Sequence, residues 1–411
     1  MSFRFLHLAD LHLETRFGGR PETRERLRQA TLQAFTRAVD FAIERRLHAL
    51  LAAGDLFDAP ILSAHTELFL AEQLERLTQA GIWFLAACGN HDPGGPGSPS
   101  AGLGSERVHF FRSPEPQTLR VTDAQGTPVA VVVGAGFARE HESANLAKAF
   151  PRVAGSLPVV GLLHTNVESA KGSGEHARYA PSTRADYERL DYAYWALGHI
   201  HLRQQAVSGL PVHYAGNLQG RHIGETGEKG GLLVEAFAGA SAEPRFVRFA
   251  NVRWERVPVA GLAAIASIGA LADELARRID ALPRERDEAL ALRLELAGET
   301  PLARRLRSGD ELAQLEAALA ARSDVLEIQL RADGVSLPID RTRLRASPSV
   351  LSEALALIER AGSDDALLAD LAPAELACAP EGDEARLAYL RELLGGLPEE
   401  LTLRGVAPEG V

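Results

Sequence analysis

The stretch Phe3-Arg-Phe-Leu-His-Leu-Ala-Asp10-Leu-His12 decides how this chain is read. An apolar run of strand length, Phe3–Leu8, stops abruptly, and Asp10 and His12 follow it two residues apart. In an extended segment, residues i and i+2 share a face, so both side chains can reach one point beyond the strand end. The same arrangement returns four times. Leu50–Ala53 runs into Gly54-Asp55, and Ile82–Ala87 is followed by Gly89-Asn90-His91-Asp92. Val159–Leu163 ends in His164, and Tyr192–Leu197 ends in Gly198-His199-Ile-His201. Between the first three runs, Arg24–Leu47 and Thr66–Ala80 carry apolar residues at helical spacing. That β-α-β-α-β order predicts an α/β domain with at least three parallel strands. In open α/β sheets, sites form beyond the carboxyl ends of strands, so five such ends can converge on one spot.

Outward from this core, further strands are expected at Thr118–Val121, Val129–Val133, Val212–Tyr214, Gly231–Phe237 and Arg245–Phe249. Residues 1–250 therefore read as two sheets packed face to face with helices outside. Residues 251–335 read as a small α+β domain, with strands at Val252–Val259, Leu290–Leu296 and Val325–Arg331. Its helices are expected at Ala263–Leu282 and Asp310–Ala321. Residues 336–411 read as a helical tail, rich in Ala and Leu from Pro348 onward and interrupted by Pro373 and Pro380. Pro93–Gly104, rich in Gly, Pro and Ser, reads as a flexible loop, either a lid over the polar cluster before it or a passive surface segment.

The 411 residues, 46% hydrophobic and 24% charged, are those of a folded multidomain protein. No stretch approaches the ~20 apolar residues of a membrane span, and no membrane partner is expected. Met1–Leu8 reads directly as a strand rather than a leader. Two distant cysteines, Cys88 and Cys378, make no disulfide framework, which fits a cytoplasmic location. The net charge of −11 argues against a protein that coats duplex DNA. It argues less against an enzyme on DNA, because bound metals supply positive charge locally.

Carboxylate and neutral imidazole donors, without thiolate, suit hard or borderline divalent metals. Two such ions about 3.5–4 Å apart can clamp the attacking and leaving oxygens at phosphorus. Taken singly, a Gly-Asp, a histidine or an Asn-His-Asp is more often turn chemistry or a packed side chain. Their joint occurrence, each at a strand end, points to metal ligation by Asp10, His12, Asp55, Asn90, His164, His199 and His201.

The series Asp10-x-His12, Gly54-Asp55, Gly89-Asn90-His91-Asp92, His164 and Gly198-His199-x-His201 resembles the calcineurin-like metallophosphoesterase superfamily over about the first 220 residues. His7-Leu-Ala-Asp-Leu-His12 and Gly54-Asp-Leu-Phe-Asp58 are similar to the SbcD/YhaO-type DNA repair exonucleases. Tyr214-Ala-Gly-Asn-Leu-Gln-Gly-Arg-His222 and Gly227-Glu-Lys-Gly-Gly231 are similar to the YhaO branch. The resemblance implies a two-sheet α/β/β/α metallophosphoesterase core, the α+β domain as a cap, and two divalent metals. Manganese is the first choice, with iron, zinc and magnesium as alternatives. It implies that Asp10, His12, Asp55 and His201 hold one ion, that Asp55 bridges, and that Asn90, His164 and His199 complete the other. His91 would be catalytic without being a ligand, and Asp92 would orient it. The partners implied are DNA, a coiled-coil SMC-like ATPase docking on the tail near Leu351, Leu355 and Ile358, and a second copy of the chain in a homodimer. A small nucleotide-type phosphodiester as substrate, and a mainly scaffolding role beside the ATPase, remain as alternatives.

The family's Tyr-Pro-Gly-Ser segment reads Tyr214-Ala-Gly-Asn217 here, so no catalytic role is carried onto it. His7, inside the first strand, reads as a packed histidine. His48, His65, His109 and His141 read as surface or helix-end residues, and His176 as part of a flexible loop after His164, with support of a ligand as the lesser alternative. Arg221 and His222 are either phosphate contacts or a surface turn. Arg16, Arg20, Arg24, Arg26 and Arg28 are either a nucleic-acid contact or a solvated helix face.

Overall fold

The computed structural model describes residues 2–18, 20–59, 61–174, 178–338, 344, 348–372 and 383–405. His176, Pro373, Cys378 and Pro380 lie outside the described residues. Strands β1 (Ser2–Leu8), β2 (Ala49–Ala53), β3 (Trp83–Ala87) and β4 (Val108–Phe111) run parallel and side by side. A second sheet takes β5 (Gln117–Thr122), β6 (Pro128–Ala135), β7 (Val159–His164), β8 (Tyr194–Gly198), β9 (Gln204–Gln205) and β10 (Val212–Tyr214), in the order 5-6-7-8-10-9. Strands β11 (Gly230–Phe237) and β12 (Arg245–Arg248) return to the first sheet beside β1, completing the order 12-11-1-2-3-4.

Burial along β1 shows how the layers form. Phe3 and Phe5 face inward, in one apolar cluster with Val132, Val160, Leu162 and Tyr194 of the second sheet. Leu6 and Leu8 face outward, in a cluster with Leu32, Phe35 and Val39 of the helix Pro21–Glu44. A strand covered on both faces needs apolar residues on both, which is why Phe3–Leu8 is nearly continuous rather than alternating. The helix Ala64–Gln79 covers the same outer face, and the Ser63 hydroxyl caps it by accepting from Thr66 N at 3.3 Å.

The outer face of the second sheet carries shorter helical cover than that of the first. Trp195 and Leu197 are buried there with Phe150, Tyr187 and Leu190. The cover consists of the short helix Arg184–Glu188, a 3-10 turn at Leu146–Ala149, and loops. The connections on that side lack the repeating apolar stripe a longer helix needs. Sequence reading passed over β4, four residues long at the sheet edge. The segment 93–104 is tied down: Gly94 N donates to Phe137 O at 2.7 Å, and Arg112 Nε donates to the buried Ser100 Oγ at 3.1 Å.

The chain divides into two compact units, residues 1–255 with 284–291 and residues 256–283 with 292–411. Strands β13 (Val252–Val259), β14 (Ala289–Glu299) and β15 (Glu327–Ser336) form a third sheet in sequence order. In the second unit, helix Ile268–Asp280 buries Leu271, Leu275 and Ile279, and helix Gly309–Arg322 buries Leu315 and Leu319. The tail holds helices Val350–Ser363, Asp365–Leu371, Asp383–Gly395 and Leu397–Gly405, with Ala361, Leu368 and Leu390 buried in a small cluster of their own. Leu351, Leu355 and Ile358 are half-buried. Among the described residues, no helix is long and apolar enough to cross a membrane.

Candidate metal centre

All five predicted strand ends meet at one edge of the first unit, in the seam between its two sheets. The loops after β1 and β2 run together: Asp10 N donates to Gly54 O at 3.1 Å and His12 N to Asp55 O at 2.9 Å. Four residues there hold left-handed backbone without being glycine: Asp10 (φ 50°), His12 (φ 49°), Asp55 (φ 50°) and His199 (φ 104°). Such conformations cost roughly 1–3 kcal/mol each and persist where the surroundings force them. The flanking glycines are needed mainly for space. A Cβ on Gly54 would lie 2.2 Å from His164 Nδ1, and one on Gly198 would lie 1.8 Å from Ala53 O.

The seven predicted ligands are brought together. Asp10, His12, Asp55, His164 and His199 are buried, and Asn90 and His201 line an open cavity beside them. His164 Nε2 and His12 Nε2 approach Asp55 Oδ2 to 3.5 and 3.9 Å. His201 Nε2 lies 3.8 Å from Asp10 Oδ1, and His199 N donates to that oxygen at 3.0 Å. The His199 ring stands edge-on to that of His164, with centroids 5.2 Å apart.

The protonation pattern shows what these donors fit. His12 Nδ1 is 2.6 Å from Asp58 Oδ1, His201 Nδ1 is 2.7 Å from Glu225 Oε1, and His164 Nδ1 is 2.9 Å from Ala53 O. Each of those acceptors requires the proton on Nδ1, which leaves Nε2 as a bare lone pair. Yet His12 Nε2 and His201 Nε2 face each other at 3.1 Å, as do His164 Nε2 and Asn90 Oδ1. Lone pairs opposed at that distance repel unless a cation is shared between them. Two donors each about 2.1 Å from one ion lie roughly 3.0–3.4 Å apart, which matches. The residues therefore fit two divalent metals, with Asp55 between the two donor pairs.

The electrostatics agree. Burial raises the Asp10 carboxyl well above its ordinary range, and the neighbouring Asp55 adds to the rise. Burial also works against ionisation of Asp55, but its histidine surroundings and the His91 amide, which donates to Asp55 Oδ1 at 3.0 Å, keep the carboxyl below its ordinary range. His201 is lowered to about 3, chiefly by burial. A neutral imidazole is the form that ligates.

His91 stands at the cavity mouth with its side chain 45% exposed, and its Nδ1 lies 3.0 Å from Asp58 Oδ1. The bond to Asp58 raises its conjugate acid to about 9. Asp92, expected to orient His91, does not touch it. Its buried carboxylate accepts from Leu56 N and Gly89 N, both at 2.7 Å, and so fixes the turn after β3 to the turn after β2. The reason is geometric: in a turn, consecutive side chains diverge, and Asp92 points back under the loop. The residue holding His91 is Asp58.

Sequence reading assigned no role to Asp58, Glu225 or Lys229. Asp58 had a signal, three residues after Asp55 within the quoted Gly54–Asp58 motif. Glu225 and Lys229 had only their membership of a segment rich in Gly, which folds back under His201. Lys229 Nζ donates to His201 O at 3.0 Å. Arg221 reaches the site, His222 stays at the exposed rim, and His7 is packed between Tyr194 OH and Leu197 O, both at 3.1 Å. On the first helix Arg28 pairs with Glu25, and Arg20, Arg24 and Arg26 are exposed.

Two sheets in this order thus carry a carboxylate–imidazole cluster at their seam that suits a pair of divalent ions. Residues 3–203 match the family model described as calcineurin-like phosphoesterase. Residues 254–337 match the middle domain of metallophosphoesterase YhaO. The uncharacterized metallophosphoesterase YhaO of Bacillus subtilis (strain 168) is 35% identical over 261 residues, 62% of this chain and 62% of that protein. The DNA double-strand break repair protein Mre11 of Aeropyrum pernix is 42% identical over 89 residues, 22% of this chain and 21% of its own. The chain thus matches about three fifths of the first of these relatives and about a fifth of the second. Among solved structures, calcineurin-like phosphoesterase YfkN from Bacillus subtilis covers 60% of this chain and 91% of its own at 12% identity and a TM-score of 0.36.

Proposed function

We propose that this chain is a metal-dependent DNA nuclease, exonucleolytic in action, that hydrolyses phosphodiester bonds in repair or end processing. The observation that carries it is the two pairs of opposed lone-pair donors beside Asp55, His12 with His201 and His164 with Asn90, with His91 held on Asp58 next to His12. Asp10, His12, Asp55 and His201 would hold one ion, and Asn90, His164 and His199 with Asp55 the other, with manganese as the first choice. When bound, the ions supply charge neutralisation at phosphorus and an activated hydroxide. His91 keeps Nδ1 on Asp58 and so offers Nε2–H to the leaving oxygen. DNA as substrate is supported by the likeness to Mre11. The same reading gives the tail helix Val350–Ser363 as the seat of a coiled-coil ATPase, a homodimer as the assembly, and the cytoplasm as the location.

The test is incubation of the purified chain with Mn2+ and end-labelled linear DNA, beside a cyclic nucleotide. Release of labelled nucleotides is expected. Intact DNA with rapid cleavage of the cyclic nucleotide would sink the nuclease reading and favour a small phosphodiester.

A further inference from the structure

Arg221 offers five N–H donors in a planar fork, and protein carboxylates occupy both ends of it. Nη1 donates to Asp58 Oδ2 at 3.2 Å. Nε and Nη2 donate to Glu225 Oε1 at 3.3 and 3.1 Å, and the Arg221 backbone N donates to Glu225 Oε2 at 2.7 Å. Both carboxylates also hold imidazoles. Asp58 Oδ1 takes the Nδ1 protons of His12 and His91, and Glu225 Oε1 takes that of His201. Asn217 Nδ2 supports Glu225 Oε2 from behind at 2.8 Å.

We propose that Asp58, Arg221 and Glu225 form one positioning unit, with Arg221 its central member, that sets the rings of His12, His201 and His91 together. The proposal rests on the two-metal reading above and not on DNA as the substrate. Its physical basis is mutual dependence. Each carboxylate holds an imidazole with one oxygen, and the guanidinium is the group that bonds to both carboxylates and so ties their positions together. The Arg221 side chain is 16% exposed and lines the cavity, but both ends of its fork are already taken by the two carboxylates. Arg221 is therefore a positioning residue, and a substrate would meet the histidines it holds.

The test titrates the full, metal-stripped chain with Mn2+ by calorimetry, which reads the unit without any substrate. In Arg221→Gln, one of the two Mn2+ sites should weaken by about 10–100-fold while the other stays within about threefold. At saturating Mn2+, kcat on a generic phosphodiester should fall with KM unchanged. Arg221→Lys, which keeps the charge but not the fork, should recover part of both losses. Native Mn2+ affinity at both sites with a raised KM would overturn the proposal and make Arg221 a phosphate ligand. Equal weakening of both sites would overturn it too. Should Arg221→Gln not fold, Glu225→Gln must give the same one-site loss, and native affinity at both sites in that variant refutes the unit. A native chain that binds no Mn2+ would refute the two-metal reading itself and the unit with it.

Discussion

Gly89→Ala is the sharpest perturbation of the metal centre, because it adds one methyl group and removes no donor. Gly89 has an ordinary backbone conformation, so the change is steric alone. Its Cβ would lie 2.2 Å from Asp55 Oδ1 and 2.7 Å from Asp55 N. That is roughly 1 Å inside ordinary contact, so either the end of β3 retreats or the Asp55 carboxylate moves by that amount. Asp55 N belongs to backbone held by its own loop bonds, which leaves the carboxylate to give way. A 1 Å misplacement of a reacting group costs about 10²-fold in rate, or ~2.7 kcal/mol of barrier. The expected outcome is a kcat about 100-fold below native on a chromogenic phosphodiester with Mn2+, with the protein still folded by circular dichroism. Gly104→Ala is the control, since the nearest atom to its Cβ is Val108 O at 4.0 Å, and it should keep the native rate. A Gly89→Ala enzyme within about threefold of native would refute the reasoning, because the close approach of the two strand ends would then be without consequence.

Two further outcomes follow from side chains in the same unit. His91→Gln should lower cleavage by about 10²–10⁴-fold, the usual contribution of a general acid, with two Mn2+ still bound by calorimetry; a lost metal would show that His91 is a ligand instead. His213→Phe should flatten the acid side of the stability profile. The His213 ring lies flat on Tyr194 at 5.3 Å with Nε2 buried and unpartnered among the described residues, and burial lowers its pKa to about 4. The unfolded chain therefore binds a proton from about pH 6.5 downward while the folded one waits until about 4, and stability falls across that window by up to ~1.4 kcal/mol per pH unit. Phenylalanine keeps the stack and drops the proton, so urea midpoints at pH 7 should not fall, and those between pH 6.5 and 4 should decline less steeply; an unchanged slope would show that His213 does not titrate on unfolding.

The residues that converge at the seam were legible because each interrupts an apolar run, and an interruption at a strand end is a local pattern. Strand β4 was not, since Val108-His-Phe-Phe111 is too short to carry a period and follows a loop of Gly and Ser. The roles of Asp58 and Glu225 were illegible for a different reason. Each acts on a histidine far away in the chain, 46 residues for Asp58 on His12 and 24 for Glu225 on His201, and nothing in either local sequence records the pairing. The error over Asp92 came from the same source. Adjacency suggested that it serves His91, while the fold turns it toward the amides of Leu56 and Gly89.

The position of the centre in the seam explains why its motifs carry glycine and strained backbone together. Asp10, His12, Asp55 and Asn90 follow strands of the first sheet, whereas His164, His199 and His201 end or follow strands of the second. The two sets must meet although packed sheets stand about 10 Å apart, farther than two facing carboxylates or imidazoles reach by themselves. The chain closes that gap with backbone. His164 Nδ1 reaches across to Ala53 O at 2.9 Å, and His199 N reaches Asp10 Oδ1 at 3.0 Å. Both crossings need the second sheet's main chain against the first's, which is why a Cβ at Gly198 would fall 1.8 Å from Ala53 O. The left-handed turns at Asp10, His12, Asp55 and His199 then aim the donors into the space so narrowed. The inter-sheet core of Phe3, Phe5, Val160 and Tyr194 bears the cost of that strain, so the sheet packing and the ligand geometry are one construction.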